Sequence, residues 1–439
     1  MKRIHKQWIT ALLVLMLAIQ LAACGSGTSD SSSQAVSEPS ASEDSGGSGG
    51  TTANEVTIWS RGTETEPLAG PLIEALEKFE AENNVTVNYQ FVPHSDVITK
   101  YNAAFASNTA PDVIDIGIVH LIGRINLGHI VPMDDYVADW AGKDDIFPQM
   151  LDLGTVNEHV YAIAHYPSPN IFVYRKDMFE QAGLDPESPP QSWDQLLEYA
   201  EKLTVYDGSG NIEISGFVMP TQGARFIANT MIRQNGSHFV DEANNTPTMT
   251  TPEAVETLEF MNALYQYSAA YDSSNDDSNP IWLDKGAMGY VASDRIKNYV
   301  TQNPEMKEKF GYVACVPGVE SASWCGVHFY AMTSQAGDPD LAWSLIEHLT
   351  SEETLARRVE SAGLSSTFQS ASEKYASLDP EINQAIVDAI SIGAGNPRVS
   401  WAADYEIELD QALEEVFYGV STPEEALAKA QTNLEKSAQ

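Results

Sequence analysis

Positive charge is scarce in this sequence of 439 residues. Lysine and arginine number 24 against 62 aspartate and glutamate residues, which gives a formal net charge of −38 at pH 7. Nucleic acid and anionic membrane surfaces repel such a chain, so we expect neither as a partner. The chain is 43% hydrophobic and too long for one ordinary core, which predicts two packed lobes.

Cysteine is also rare, with three residues in the whole chain. Cys315 and Cys325 lie in two strand-like runs with Pro317 and Gly318 between them, so they could face each other across a hairpin. An extracytoplasmic location would permit a disulfide between them. The alternative is two buried thiols, and spacing alone leaves both open because it does not give the distance between the sulfur atoms.

The sequence lacks the motifs that are typical of metal-binding and phosphate-binding sites. The sequence has no HExxH, no metal-spaced cluster of cysteine or histidine and no phosphate-cradling glycine loop. We therefore expect no metal, no cofactor and no catalytic residue. Glycoside-acting enzymes use paired carboxylates, but with 62 acidic residues such pairs are expected anywhere in the chain and do not indicate a catalytic site. A secreted glycoside-acting enzyme remains an alternative.

A single long apolar run occupies residues 8–23, after the positive residues Lys2, Arg3 and Lys6. It is shorter than the roughly 20 residues of a bilayer span, and small residues follow it, which is typical of a secretory signal peptide. The junction LAACG resembles the lipobox of bacterial lipoproteins. This resemblance implies cleavage before Cys24 and a diacylglycerol on its sulfur. We interpret residues 1–23 as a lipoprotein signal peptide and the Ser/Gly-rich residues 24–54 as a disordered tether.

From residue 55 onward the hydrophobic pattern alternates between strand and helix periods. VTIWS and PDVIDIGI are strand-like runs, and helical faces lie between them. Ser192 with Gln195, and Thr422 with Glu425, are helix-start signals. This alternation predicts an α/β architecture rich in parallel strands.

The order of eight segments between residues 56 and 434 is informative. They are VTIWS, NAAFASNTAPDVIDI, GHIVPMDDYV, YAIAHYPSPNIFVYRKDMFEQAGL, PPQSWDQLLEYAEKLT, WLDKGAMGYVAS, GVHFYAMTSQAGDPDLAWSLIEHLTSEE and TPEEALAKAQ. Together they resemble family 1 of the extracellular solute-binding proteins, the substrate-binding lipoproteins of sugar ABC transporters. The resemblance implies a type II periplasmic-binding-protein-like fold, with two α/β lobes joined by crossover strands and a ligand cleft between them. Lobe I is expected at about 55–164 and 320–365, and lobe II at about 165–319 and 366–439.

The same resemblance implies a function. A monomeric, non-enzymatic receptor would capture a mono- or oligosaccharide and deliver it to the permease subunits, while a lipid on Cys24 anchors it to the outer face of the cell membrane. A binding protein for a non-sugar solute is a further alternative. His165-Tyr166-Pro167 departs from the usual segment of the family, which leaves the identity of the ligand open.

Candidate ligand contacts follow from position within these segments. They are Trp59, Ser60, Arg61 and Glu64 after the first strand, Asp115 and His120 near PDVIDIG, His165 and Tyr166 at the first crossover, Asp294 and Arg295 after GAMGYVAS, Trp324 and His328 at the second crossover, and Arg398 and Trp401 in GNPRVSWAADY. Aromatic faces can stack on sugar rings, and the polar side chains can hydrogen-bond hydroxyl groups. Trp401 lies outside the hydrophobic stripes of both flanking helices, so we expect its ring to face the ligand. Trp282 is interpreted as a packing residue.

The Cys24→Ser variant tests the anchor. Serine lacks the sulfur that carries the lipid, so the variant is expected to stay unlipidated and to leave the membrane fraction. Cell fractionation followed by immunoblotting measures this, with other lipoproteins of the same cells as the control. Continued membrane association of the variant would contradict the interpretation of LAACG.

Overall fold

The computed structural model describes residues 54–221, 223–271 and 278–439. The proposed signal peptide, Cys24 and all but the last residue of the proposed tether lie outside these residues. The described residues belong to one compact unit.

Strands and helices alternate along the described chain, as the hydrophobic pattern predicts. The strands are β1 (Glu55–Arg61), β2 (Thr86–Val92), β3 (Val113–Gly117), β4 (Thr155–Val156), β5 (His159–Val160), β6 (Ile163–Arg175), β7 (Val205–Tyr206), β8 (Ile212–Ile214), β9 (Val240–Asp241), β10 (Thr246–Pro247), β11 (Met288–Ala292), β12 (Phe310–Val313), β13 (Ser323–Met332) and β14 (Gly393–Ala394). The α-helices are α1 (Ala69–Asn83), α2 (Val97–Ser107), α3 (Ile118–Asn126), α4 (Asp134–Asp139), α5 (Pro148–Leu153), α6 (Lys176–Gln181), α7 (Trp193–Leu203), α8 (Arg225–Gln234), α9 (Pro252–Tyr265), α10 (Ser293–Gln302), α11 (Pro339–Leu349), α12 (Glu352–Ala362), α13 (Gln369–Leu378), α14 (Ile382–Ser391), α15 (Ala402–Phe417) and α16 (Pro423–Ser437). Short 3₁₀ helices occupy Ala141–Asp144 and Pro304–Lys309. Among the described residues, no helix is both long and apolar enough to cross a membrane.

The helix-start signals act largely as predicted. Thr422 accepts a hydrogen bond from the backbone of Glu425, whose side chain accepts from the backbone of Thr422, and this completes a capping box at α16. At α7 the Ser192 hydroxyl accepts from the Gln195 backbone, but the Gln195 side chain accepts from Gln191 N instead of Ser192 N. The first helix turn of α7 is therefore capped by a variant of the predicted box.

Eight of the described strands form one mixed sheet. Its order is β11-β6-β13-β3-β1-β2, with β12 also paired to β6 and β14 to β13. β1 pairs in parallel with both β2 and β3, whereas β13 runs antiparallel to β3 and β6. β1, β2 and β3, which each precede a helix, pair in parallel as the alternating pattern predicts. β6 pairs antiparallel with β11, β12 and β13, although β6, β11 and β13 also precede helices.

Two long strands, β6 and β13, belong to both lobes. The first half of β6 pairs with β13, and its second half pairs with β11 and β12. β13 continues from this pairing into a second one with β3. The lobes are therefore two α/β units joined by crossover strands, which confirms the predicted fold class.

Buried apolar side chains of the described chain form two clusters. The larger cluster includes Ile58 and Ile116, and the smaller one includes Leu258, Leu409 and Leu427. The larger cluster also contains buried apolar residues of α13 and α14 and, from α10, Ile296 and Val300, so it spans both predicted lobes. Thr367 Oγ1 donates to Ala164 O at 2.6 Å, which ties the segment before α13 to β6. The lobe boundaries stay predictions.

Cys315 and Cys325 are free thiols. In the described chain β12 and β13 each pair with β6 and not with each other, so the expected hairpin does not form. Cys325 is fully buried, and burial raises the pKa of its thiol. Of the two alternatives left open by the sequence, the structure supports two thiols, one buried and one partly buried.

Trp401 lies in the core of lobe II, which corrects the expectation that its ring faces a ligand. Its exposed fraction is 4%, and it belongs to the same buried cluster as Val399 and Tyr405. Its Nε1 donates to Asn245 Oδ1 at 2.9 Å. The sequence pattern missed this because Trp401 precedes α15 and is outside the helical stripe that marks the core face.

A Trp401→Ala variant should therefore lose stability. Truncation would leave a cavity and an unpaired Asn245 oxygen, so the free energy of unfolding is expected to fall by about 3–5 kcal/mol in urea denaturation. Tyr418→Ala is the matched control, since Tyr418 is 63% exposed at the other end of α15, and it should change stability by less than about 0.5 kcal/mol. Equal stability of the two variants would contradict the core placement of Trp401.

Candidate functional site

Side chains from both lobes line a cavity of about 610 Å³ beside the crossover strands. We call it the cleft cavity. Its described lining consists of Arg61, Glu66, Pro67, Leu68 and His94 from lobe I, Tyr166 and His328 from the crossover strands, Trp282, Asp294, Arg295, Asn298, Tyr299 and Gln302 from lobe II, and Leu364. Its volume lies within the range of about 300–1,000 Å³ that is typical of small-molecule sites.

Three kinds of element place these side chains. Arg61 is the last residue of β1, and Tyr166 lies directly opposite His328 in the pairing of β6 with β13. Helix α10 follows β11 and presents one polar face through residues 294, 298 and 302, which are spaced four apart. Its buried residues Ile296 and Val300 hold the opposite face against the protein.

Arg61 provides unused hydrogen-bond donors in the cleft cavity. Its Nη2 lies 3.3 Å from His94 Nδ1, and its Nε is buried without a hydrogen-bond partner among the described residues. A Cβ atom at position 117 would lie 2.1 Å from Arg61 Nη1, so Gly117 makes room for the guanidinium group. In the described chain no carboxylate forms an ion pair with Arg61.

The acidic and aromatic groups of the cavity are held in place by their neighbours. Asp294 Oδ1 accepts from Ser168 Oγ at 3.0 Å, and Glu66 Oε2 lies 3.3 Å from His94 Nε2. The rings of Trp282 and Tyr299 are stacked, with centroids 4.6 Å apart and an angle of 16° between planes. The cavity therefore combines an ordered aromatic surface with donors and acceptors.

A buried cluster of Asp115, His165 and His328 adjoins the cavity. Asp115 Oδ1 is 3.6 Å from His165 Nε2 and 3.3 Å from His328 Nδ1. Burial lowers the pKa of His165 to about 4, although the neighbouring Asp115 acts to raise it. The imidazole of His165 is therefore neutral at pH 7. Burial opposes the ionisation of Asp115, but His328 and His165 together outweigh it, and the pKa of this carboxyl lies well below its ordinary value.

A second cavity, of about 790 Å³, also touches both lobes. It is lined partly by Asp152, Arg233, Glu242 and Arg398, and no Trp, Tyr or Phe is among its described lining residues. Arg398 bridges the lobes here, because its Nη1 lies 3.0 Å from Asp152 Oδ2 and its Nε donates to Glu242 Oε2 at 2.9 Å. Arg398 is thus paired with both carboxylates, and Arg233 donates to Asn229 O and Gly395 O. The cleft cavity is therefore the better ligand site although it is smaller.

The structure brings eight of the fourteen sequence-predicted residues together. Arg61, Tyr166, Asp294, Arg295 and His328 line the cleft cavity, and Ser60, Asp115 and His165 form the layer next to it, since Ser60 Oγ donates to Asp115 Oδ2 at 3.2 Å. The other six are elsewhere: Trp59 packs on Tyr101 below Lys100, Glu64 is exposed, His120 lies on α3, Trp324 packs on Phe226, Arg398 bridges the second cavity, and Trp401 is in the core.

Several lining residues were missed by the sequence reasoning. They are Glu66, His94, Trp282, Asn298, Tyr299 and Gln302. Trp282 packs against the larger buried cluster, as interpreted from the sequence, and also lines the cavity. The four-residue spacing of Asp294, Asn298 and Gln302 was a usable signal, since it places them on one helical face beside a residue already chosen. Trp282 and Tyr299 gave no such signal, because their stacking joins two separate segments.

Together, the two lobes, the crossover strands and the cavity between them define a two-lobed ligand-binding protein. The chain belongs to the bacterial extracellular solute-binding protein family, whose model matches residues 62–356. The resemblance recognised in the sequence is thereby confirmed.

Relatives and solved structures agree with this assignment. The mannitol-binding protein of Pseudomonas aeruginosa is 30% identical over 202 residues, which cover 43% of this chain and 45% of that protein. A solute-binding protein of Thermotoga lettingae TMO, solved with α-D-tagatose bound, has a TM-score of 0.72 at 22% identity and covers 88% of this chain and 100% of its own. The cyclic α-maltosyl-1,6-maltose binding protein of Arthrobacter globiformis has a TM-score of 0.77 at 19% identity, over 88% and 98% of the two chains. At these identities the two solved structures establish the fold.

Proposed function

We propose that this protein is the substrate-binding lipoprotein of an ABC importer, and that it captures a small carbohydrate or polyol in the cleft cavity and delivers it to the membrane permease. The observation that carries the proposal is the pairing of the stacked rings Trp282 and Tyr299 with polar side chains of the opposite lobe. Sugar recognition needs both an apolar ring face and directed hydrogen bonds.

The donors and acceptors of the cavity suit hydroxyl groups. Arg61 offers only donors, Asp294 offers acceptors, and Asn298 and Gln302 offer both. A polyhydroxylated ligand can satisfy such a mixed set because each hydroxyl both donates and accepts. A ligand with a single charge would leave several of these groups unpaired in a site closed to water, which disfavours binding.

Binding between two lobes accounts for capture. Arg61 and His94 belong to one lobe, and Trp282 and Asn298 to the other, so a bound ligand contacts both. Closure about the crossover strands then excludes water from the polar contacts and stabilises the closed form by differential binding. The permease can distinguish the loaded receptor from the empty one by this change of shape.

The remaining parts of the proposal concern location and chemistry. Cys24, with its lipid, would anchor a monomer to the outer face of the membrane, and the segment 24–54 would let it reach a permease in the same membrane. The family and its structural neighbours are binding proteins rather than enzymes, so the ligand is expected to leave unchanged. A mannitol-binding relative and a tagatose-bound neighbour make polyols and monosaccharides the first ligands to screen.

The experiment compares two arginine variants. A thermal-shift screen of mannitol, tagatose and maltooligosaccharides identifies a ligand, because a ligand specific for the native state raises the melting temperature. Titration calorimetry with that ligand should then show a tenfold to hundredfold weaker Kd for Arg61→Ala, which corresponds to about 1.4–2.8 kcal/mol of binding free energy. The reason is the loss of charged donors in the cleft cavity.

Arg398→Ala is the matched control, since Arg398 lines the second cavity. Its Kd is expected to stay within about threefold of the parent, a change below about 0.7 kcal/mol. Chromatography of the recovered ligand should show no conversion. A stronger effect in Arg398→Ala than in Arg61→Ala would place the ligand in the second cavity, and turnover of the ligand would support the glycoside-acting alternative.

A further inference from the structure

Three buried polar atoms next to the cleft cavity converge without hydrogen bonds. Asp115 Oδ1, His165 Nε2 and His328 Nδ1 lie within 4.8 Å of one another. Each is buried and has no hydrogen-bond partner in the described part of the chain. Buried polar atoms are normally paired, so three such atoms in one place need an explanation.

The three residues come from three adjacent strands. Asp115 lies on β3 opposite Tyr330 of β13, and His328 lies on β13 opposite Tyr166 of β6. The register shifts between His328 and Phe329: His328 pairs with Tyr166, and Phe329 pairs with Ala164 rather than with His165. His165 is therefore the extra residue of a β-bulge, a feature that redirects a side chain relative to the regular pleat.

Neighbouring groups fix the orientation of the cluster. The His165 ring stacks on Tyr330 with centroids 3.7 Å apart and 7° between planes. Asp115 Oδ2 accepts from Ser60 Oγ at 3.2 Å and from Arg61 N at 3.4 Å, which leaves Oδ1 to face the two histidines. Outer contacts of this kind orient the ligands of metal ions.

We infer that Asp115, His165 and His328 form a binding site for a divalent transition-metal ion such as Zn²⁺. Atoms about 2.1 Å from a tetrahedral Zn²⁺ lie roughly 3.4 Å apart. The separations of 3.6 Å and 3.3 Å from Asp115 Oδ1 to the two histidine nitrogens fit this value. Two imidazoles and a carboxylate are ligands that Zn²⁺ accepts, and one ion would satisfy all three unpaired atoms.

The route to the site runs through the cleft cavity. The side chain of His328 is 22% exposed, whereas those of Asp115 and His165 are fully buried. His328 also lines the cleft cavity, so an ion would enter past this residue. The bound ion would join β3, β6 and β13, and it would therefore raise the stability of the folded protein by mass action.

One neighbour opposes the ion. Arg358 Nη2 lies 3.2 Å from His165 Nδ1, and a guanidinium group can only donate, so the ring hydrogen of a neutral His165 lies on Nε2. Metal binding by Nε2 needs that hydrogen on Nδ1 instead, and Arg358 must withdraw. Removal of the guanidinium group should therefore strengthen metal binding, an effect that a purely structural role of the cluster does not predict.

The test uses the full-length protein, freed of metal by EDTA and dialysed, with Zn²⁺ alone as the probe. We expect one Zn²⁺ per chain by elemental analysis after competition with a weak chelator, and a higher melting temperature with Zn²⁺. His328→Ala should weaken the affinity at least about tenfold, and Arg358→Gln should strengthen it about tenfold. Substitution with Co²⁺ should give a visible absorption spectrum in the parent that His328→Ala loses.

His120→Ala is the matched control, since it removes an imidazole from α3 in the same lobe and should leave the affinity unchanged. Circular dichroism checks that each variant is folded. If His328→Ala and His120→Ala bind Zn²⁺ alike, or if the parent binds none, the inference is wrong. An unchanged Zn²⁺ affinity in Arg358→Gln would show that His165 is not a metal ligand, even if His328→Ala fails to fold. Because no sugar is used, these outcomes are separate from those of the ligand screen.

Discussion

The antiparallel pairing of β6 with β13 is the constraint on which the rest of the structure depends. Each strand is shared between lobes, so the backbone hydrogen bonds between them join the two α/β units. The partly exposed residues Tyr166 and His328 stand opposite each other in this pairing. The floor of the cleft cavity is therefore formed by paired strands, and its walls come from the segments on either side of them.

Polar side chains are buried beneath the cleft cavity, where their neighbours hold them in place. Asp115 and His165 are fully buried, and Ser60, Arg61 and Arg358 supply contacts that a hydrophobic core would lack. The Asp115 carboxylate is stabilised by Ser60, the Arg61 backbone and the two histidines rather than by solvent.

The fold could be predicted from the sequence because its signals are local. Strand and helix periods located β1, β3 and α7, and the order of the segments indicated two lobes with crossover strands. The environments of two tryptophans could not be predicted in this way. Trp401 is buried rather than facing a ligand, and Trp282 packs on Tyr299 as a packing residue would but also lines the cleft cavity. Burial of a loop tryptophan depends on contacts such as Trp401 with Asn245, which join distant parts of the chain. The bulge at His165 left no sequence signal because it is a property of strand pairing.

Helix α10 uses different residues for packing and for lining the cleft cavity. Ile296 and Val300 are buried and hold the helix in place, whereas Asp294, Asn298 and Gln302 face the cleft cavity and support no core. Substitutions on the outward face can therefore accumulate without loss of folding. In a receptor of the proposed kind, descendants of this chain could acquire new ligands through changes confined to one ten-residue helix, while the machinery that joins and closes the lobes is inherited intact.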